Sequence, residues 1–114
     1  MNFDQAIVAH STWKRKLVLY IATPDHSLKV AEVGADNKCE LGQWIAGDGS
    51  KYSSLPEFKT LREEHAHFHK AAADVIQKAD SGQQLTTEDL GPRSKFGAAS
   101  AAVVMAIATM KKKA

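Results

Sequence analysis

The sequence predicts an all-α protein, an antiparallel four-helix bundle whose short second helix carries the single cysteine. Apolar residues recur three and four positions apart in three long segments, the spacing of an amphipathic helix. Short stretches containing Gly or Pro separate the segments, and short loops favour antiparallel neighbours. The chain has 114 residues, of which 44% are hydrophobic and 25% are charged. This is enough for one small core, so one domain over residues 1–114 is expected.

The first helix is predicted from Phe3 to about Thr23. Pro24 ends it, because the residue before a proline is disfavoured in the α region. His10 lies on the apolar stripe of this helix, where a backbone carbonyl or a carboxylate would be its ordinary partner. The rest of the stripe consists of Phe3, Ile7, Trp13, Leu17 and Ile21.

The second helix is predicted to begin at Asp36 or Asn37, since Asn37 and Glu40 have the spacing of a capping box. Cys39 then lies in the first turn, where the helix dipole favours a thiolate. Gly42 inside the helix indicates close approach by a neighbouring group, because Gly costs about 1 kcal/mol there relative to Ala.

The third helix is long and contains a histidine pair. Pro56 is expected in its first turn and Gly82 at its end. His65 lies on the apolar stripe, and His69 follows one turn later, about 40° around the axis. His67 is about 200° from His65 and is expected to point away from the core.

The last helix is predicted from Ser94, with a buried face formed by Phe96, Ala99, Val103, Ile107 and Met110. Its apolar stretch is shorter than the ~20 residues that cross a bilayer, so no membrane partner is expected. A net charge of +2 gives no argument for nucleic acid binding. The first residues do not have the pattern of a signal peptide, and the cytoplasm is the predicted location.

Four residues from three predicted helices form a candidate metal site: His10, Cys39, His65 and His69. Three imidazoles and one thiolate suit a tetrahedral Zn²⁺ ion. Four protein ligands leave no open position for a reacting water molecule, and no nucleophile–base pair is recognisable, so an enzyme is not expected. A di-iron site would need inward-facing carboxylates, and the two glutamates before His65 lie off the histidine face.

Further residues are expected around this site. Trp13 and Trp44 could close a hydrophobic shell around it, although such aromatic residues more often belong only to the core. Asp36 could be a helix cap or accept a hydrogen bond from a ligand histidine. Gly42 and Phe68 complete the predicted pocket.

The chain resembles the chemoreceptor zinc-binding (CZB) domain family. The family pattern is a His followed three residues later by Trp, then Cys-x-Leu-Gly-x-Trp, then His-x-x-x-His with an aromatic residue before the second His. All three blocks occur here in that order, and the resemblance spans nearly the whole chain. It implies that the metal ligands are His10, Cys39, His65 and His69.

The resemblance also implies a function. Members of the family are regulatory domains of bacterial signalling, usually joined to chemoreceptors or to enzymes that make cyclic di-GMP. They sense zinc, or oxidants such as hypochlorous acid through the Cys ligand. One zinc ion per chain, a homodimer and a signalling partner acting in trans are therefore expected. No receptor or cyclase segment accompanies the bundle, and the two ends of the sequence favour a free-standing member.

Three hypotheses follow for the role of the site. In the first, zinc ties the second helix to the others, and oxidation of Cys39 releases it. In the second, zinc is a permanent structural staple for a small core. In the third, no metal binds, and the histidines line the polar core of a helical interaction module.

Overall fold

The computed structural model describes residues 2–35, 37 and 39–113, and these contain helices and no strand. The predicted all-α class is confirmed. Two 3₁₀ turns span Asp48–Tyr52 and Thr87–Leu90. The α-helices are α1 (Phe3–Ala22), α2 (Val30–Val33), α3 (Glu40–Ala46), α4 (Pro56–Asp80) and α5 (Lys95–Lys113).

The three long helices, α1, α4 and α5, pack against one another and form the core. The hydroxyl of Tyr20, near the end of α1, donates to the carboxylate of Asp80, at the end of α4. These two helices therefore run in the same direction. Lys111, near the end of α5, donates to Asp4 at the start of α1 over 2.7 Å, so α5 runs in the opposite direction.

The segment between α1 and α4 contains two short helices, α2 with four residues and α3 with seven. The short second helix that the sequence predicts corresponds to α3, and α2 lies in the connector before it. Gly34 ends α2, and α3 begins only at Glu40. The described residues thus form three long helices, with the short helices α2 and α3 between α1 and α4, and the predicted antiparallel four-helix bundle is not confirmed.

Cys39 is the N-cap of α3, whereas the prediction placed it inside the first turn. Its backbone is extended, with φ −87° and ψ 163°, as an N-cap requires. Its sulfur accepts a hydrogen bond from the backbone N–H of Gly42 at 3.4 Å. Asn37 therefore does not cap this helix, because the extended backbone at Cys39 puts the helix start two residues later than the capping-box spacing predicted.

Several helix boundaries agree with the prediction. α1 ends at Ala22, with Thr23 as its C-cap immediately before Pro24. Pro56 stands in the first turn of α4, and Gly82 follows its end with a left-handed φ of +91°. No helix of the described residues has both the length and the apolar character needed to cross a membrane.

The buried face of α1 is rotated relative to the predicted stripe. Its buried residues are Ala6, His10, Leu17 and Tyr20. The other predicted stripe residues, Phe3, Ile7, Trp13 and Ile21, are half-buried at the edges of this face. The reason is that α1 contacts both α4 and α5, so the centre of its buried face is set by two neighbours.

Candidate metal centre

The structure brings together the four predicted metal ligands. One donor atom from each of His10, Cys39, His65 and His69 lies within 4.8 Å of the other three. The sulfur of Cys39 is 3.1 Å from Nε2 of His65 and 3.6 Å from Nε2 of His69. The two histidine Nε2 atoms are 3.0 Å apart. The side chains come from α1, α4 and the cap of α3.

Helix α4 supplies two of these side chains because His65 and His69 are four residues apart on its buried face. Their relative exposures are 1% and 4%. Phe68 lies between them in sequence, is completely buried, and packs edge-on against the ring of His69 with centroids 5.5 Å apart. Apolar packing of the long helix thus holds both imidazoles inside the core.

His10 enters the cluster from α1. Its Nδ1 donates to the backbone carbonyl of Ala6 at 2.7 Å, the ordinary partner considered for a core histidine. Its Nε2 is buried and has no hydrogen-bond partner among the described residues. An unpaired buried polar atom costs free energy, so it requires an explanation. A metal ion bound at this nitrogen would provide one.

Two backbone carbonyls select the tautomers of His10 and His69. A carbonyl oxygen can only accept, so Nδ1 of His10 carries a proton toward Ala6, and Nδ1 of His69 carries one toward Val33 at 2.9 Å. The other nitrogen, Nε2, is therefore the atom through which each ring can bind a metal ion. A second hydrogen bond of this kind commonly orients histidine ligands. Sequence reasoning missed the role of Val33, because any residue supplies a backbone carbonyl.

The surroundings keep the imidazoles of His10 and His65 neutral. Burial, followed by the nearby His69 and His10 rings, lowers the pKa of His65 to about 3. Burial also lowers the pKa of His10, and His69 adds to this, while the hydrogen bond to Ala6 opposes it. At neutral pH these two rings are unprotonated, the state that binds metals.

The donor set and its spacing fit a tetrahedral Zn²⁺ ion. Bonds of about 2.05 Å to nitrogen and about 2.3 Å to sulfur separate two nitrogens by about 3.4 Å, and nitrogen from sulfur by about 3.6 Å. The donors of Cys39, His65 and His69 are separated by 3.0, 3.1 and 3.6 Å, equal to these values or up to about 0.5 Å shorter, and the donor of His10 lies within 4.8 Å of them. Three imidazoles and a thiolate are also a chemically suitable set for zinc.

The other predicted pocket residues occupy different positions. Trp13 lines a cavity beside Cys39 and His69. Trp44 packs instead with Phe3, Tyr52 and Phe58, away from the ligands.

The remaining residues of the predicted pocket also differ in how they contact the site. Phe68 touches the rings of His10 and His69, whereas Gly42 contributes its backbone N–H to the sulfur. Asp36 lies outside the described residues. His67 is largely exposed, as predicted, and its Nδ1 lies 4.0 Å from Glu64.

The comparison with protein families agrees with this site. Residues 10–76, more than half of the chain, match the model of the family described as the chemoreceptor zinc-binding domain. The matched segment contains all four candidate ligands. No curated protein and no solved structure matches the chain.

Proposed function

The chain belongs to the chemoreceptor zinc-binding domain family, and we propose that it is a regulatory domain that binds one Zn²⁺ ion through His10, Cys39, His65 and His69. The observation that carries this proposal is the buried Nε2 of His10, which lacks a partner among the described residues beside three other donor atoms. Neutral imidazoles and a closed set of four donors favour binding without hydrolysis.

The chain's own groups prepare this site. The carbonyls of Ala6 and Val33 hold Nδ1–H of His10 and His69, leaving both Nε2 atoms as donors. The N–H of Gly42 points to the sulfur of Cys39 and favours its thiolate form. Zinc, when bound, would stabilise that thiolate and link the start of α3 to α1 and α4.

The signal proposed is zinc itself or an oxidant acting on Cys39. A thiolate and hypochlorous acid give a sulfenic acid and chloride, a two-electron oxidation of the sulfur. A sulfenic acid is a weaker donor than a thiolate, so α3 would lose its link to the long helices. The output would pass through a homodimer, or through a chemoreceptor or cyclic di-GMP signalling protein acting in trans. We place this domain in the cytoplasm and assign it no catalytic role.

A purely structural role for zinc is the second candidate, and the burial of the histidines favours it. His10, His65 and His69 are 3%, 1% and 4% exposed, so they occupy core volume that apolar residues would otherwise fill. A Cys39→Ser variant separates the two roles. The switch requires that the variant folds and loses its response to oxidant, whereas the staple requires that it unfolds.

Elemental analysis of protein purified without added metal and without a His-tag tests the binding itself. About one zinc ion per chain is expected, with less in a Cys39→Ala variant. The His67→Ala variant is the matched control, because His67 lies on the same helix but outside the cluster. Folded protein without zinc would contradict the proposal and favour the metal-free interaction module.

A further inference from the structure

A cavity of about 400 Å³ lies beside α2 and reaches the candidate metal centre. Cys39 and His69 are part of its lining. The lining also includes Trp13 from α1, Ser27, Leu28 and Lys29 from the connector, and Glu32 from α2. Ser27, Lys29 and Glu32 are exposed, so this end of the cavity meets solvent.

The other described sides of the site are closed. His10 and His65 are 3% and 1% exposed, and Phe68, whose ring packs against that of His10, is completely buried. Cys39, by contrast, is half-buried. A small molecule that approaches through the described part of the structure therefore meets the sulfur from the side of α2.

We propose that this cavity is the entrance through which small molecules reach Cys39. The purpose of this entrance rests on the proposed metal role of Cys39. The test of the entrance does not require a metal. The size admits small thiol-reactive or metal-chelating molecules and excludes a folded protein. The ammonium of Lys29 and the carboxylate of Glu32 offset each other in charge. The entrance consequently suits a small uncharged molecule, such as a neutral oxidant.

The first test fills the entrance and measures the rate at which iodoacetamide alkylates Cys39. Ser27→Trp places a large ring at an exposed position of the lining, and a severalfold slower reaction is expected. Thr109→Trp is the control, because it adds the same ring at an exposed position of α5 outside this cavity. Circular dichroism and the alkylation rate in denaturant verify that the fold and the intrinsic thiol reactivity are unchanged.

The second test changes the charge at the entrance and compares anionic iodoacetate with neutral iodoacetamide. In Glu32→Lys the rate with iodoacetate divided by the rate with iodoacetamide should rise about two- to threefold at low ionic strength, because the new cation attracts the anionic reagent. In high salt this ratio should return toward its original value. Glu88→Lys makes the same charge change on the Thr87–Leu90 turn and should leave the ratio nearly unchanged. General destabilisation would raise both alkylation rates by the same factor, so a change in their ratio reports only on the route to the sulfur of Cys39.

Each rate is measured in protein as purified and again after metal removal, with the metal content determined separately. Slower alkylation in Ser27→Trp together with a raised ratio in Glu32→Lys supports the entrance, whether or not zinc is found. Unchanged values in both variants overturn it, even if zinc is bound. If the chain binds no zinc and the alkylation rates still change in these variants, the result contradicts the proposed function and supports the proposed entrance.

Discussion

The two sides of the candidate metal centre are built very differently. Three histidines lie on α1 and α4, helices of 20 and 25 residues, and are almost fully buried. The cysteine caps α3, a helix of seven residues, and is half-buried. The three imidazoles lie in the packed core of the long helices. The cysteine side depends on a short helix that would be marginal alone.

This difference indicates which side of the centre can move more easily. α3 is anchored by Leu41, which is 1% exposed, and by Trp44, whose ring packs edge-on against Phe3 at 5.2 Å. These anchors hold the body of the helix, while Cys39 holds its first turn. Removal of the Cys39 side chain should therefore free the start of α3 and leave the histidine side intact.

Removal of a buried histidine should have the largest effect. His65→Ala deletes a core ring and a proposed ligand, so zinc should be lost. The free energy of unfolding of the metal-free chain should fall by roughly 2–4 kcal/mol, as in other large-to-small core substitutions. Urea denaturation and metal analysis measure both effects. His67→Ala, with its ring exposed on the same helix, should change stability by less than about 0.5 kcal/mol. Full zinc content in His65→Ala would contradict the proposed role of His65 as a ligand.

Acid should lower the free energy of unfolding through the buried histidines. The pKa values of His10 and His65 are lowered in the fold, so below about pH 6.5 the unfolded chain binds protons that the folded chain excludes. The stability that these two histidines contribute is fully present above this pH and is lost as the pH falls. Each histidine contributes up to about 1.4 kcal/mol per pH unit, until its own folded pKa is reached.

Denaturation of the metal-free protein between pH 7 and 4.5 measures this loss. The slope should be shallower in His10→Phe, which cannot bind the extra proton. A stability independent of pH in the native chain would show that the rings are not held neutral.

Substitution of the cysteine should cost zinc but little stability. In Cys39→Ala the cap of α3 is lost, so the metal-free free energy of unfolding should fall by only about 1 kcal/mol. In Cys39→Ser an oxygen replaces the capping sulfur, and the loss should be smaller. Hydrogen exchange should become faster at the start of α3 and stay unchanged in α4. Equal acceleration in both helices would show that the two sides of the centre are not independent.

A substitution far from the site should have the smallest effect on zinc binding. Tyr20→Phe removes the hydrogen bond to Asp80 at the far end of α1 and α4. A loss of about 1 kcal/mol in stability is expected, with zinc content unchanged. Urea denaturation and metal analysis again provide the measurement. Loss of zinc in this variant would mean that general stability, rather than the ligands, controls binding.

Much of the site was visible in the sequence because its signals are local. The spacing of His65 and His69 follows directly from helix periodicity, and His10 lies on an apolar stripe for the same reason. Pro24 and Pro56 mark helix boundaries through the restricted geometry of proline. Composition and periodicity therefore determined the all-α class, and residue types determined the candidate donors.

Tertiary structure decided the rest. The interrupted segment between α1 and α4, the rotation of the buried face of α1, and the cavity beside Cys39 each depend on contacts between residues distant in sequence. The hydrogen bond from His69 to Val33 joins residues 36 positions apart and uses a carbonyl that every residue possesses. Periodicity along one helix shows which residues share a face, but only packing determines which neighbour that face meets, and a backbone partner leaves no mark in the sequence.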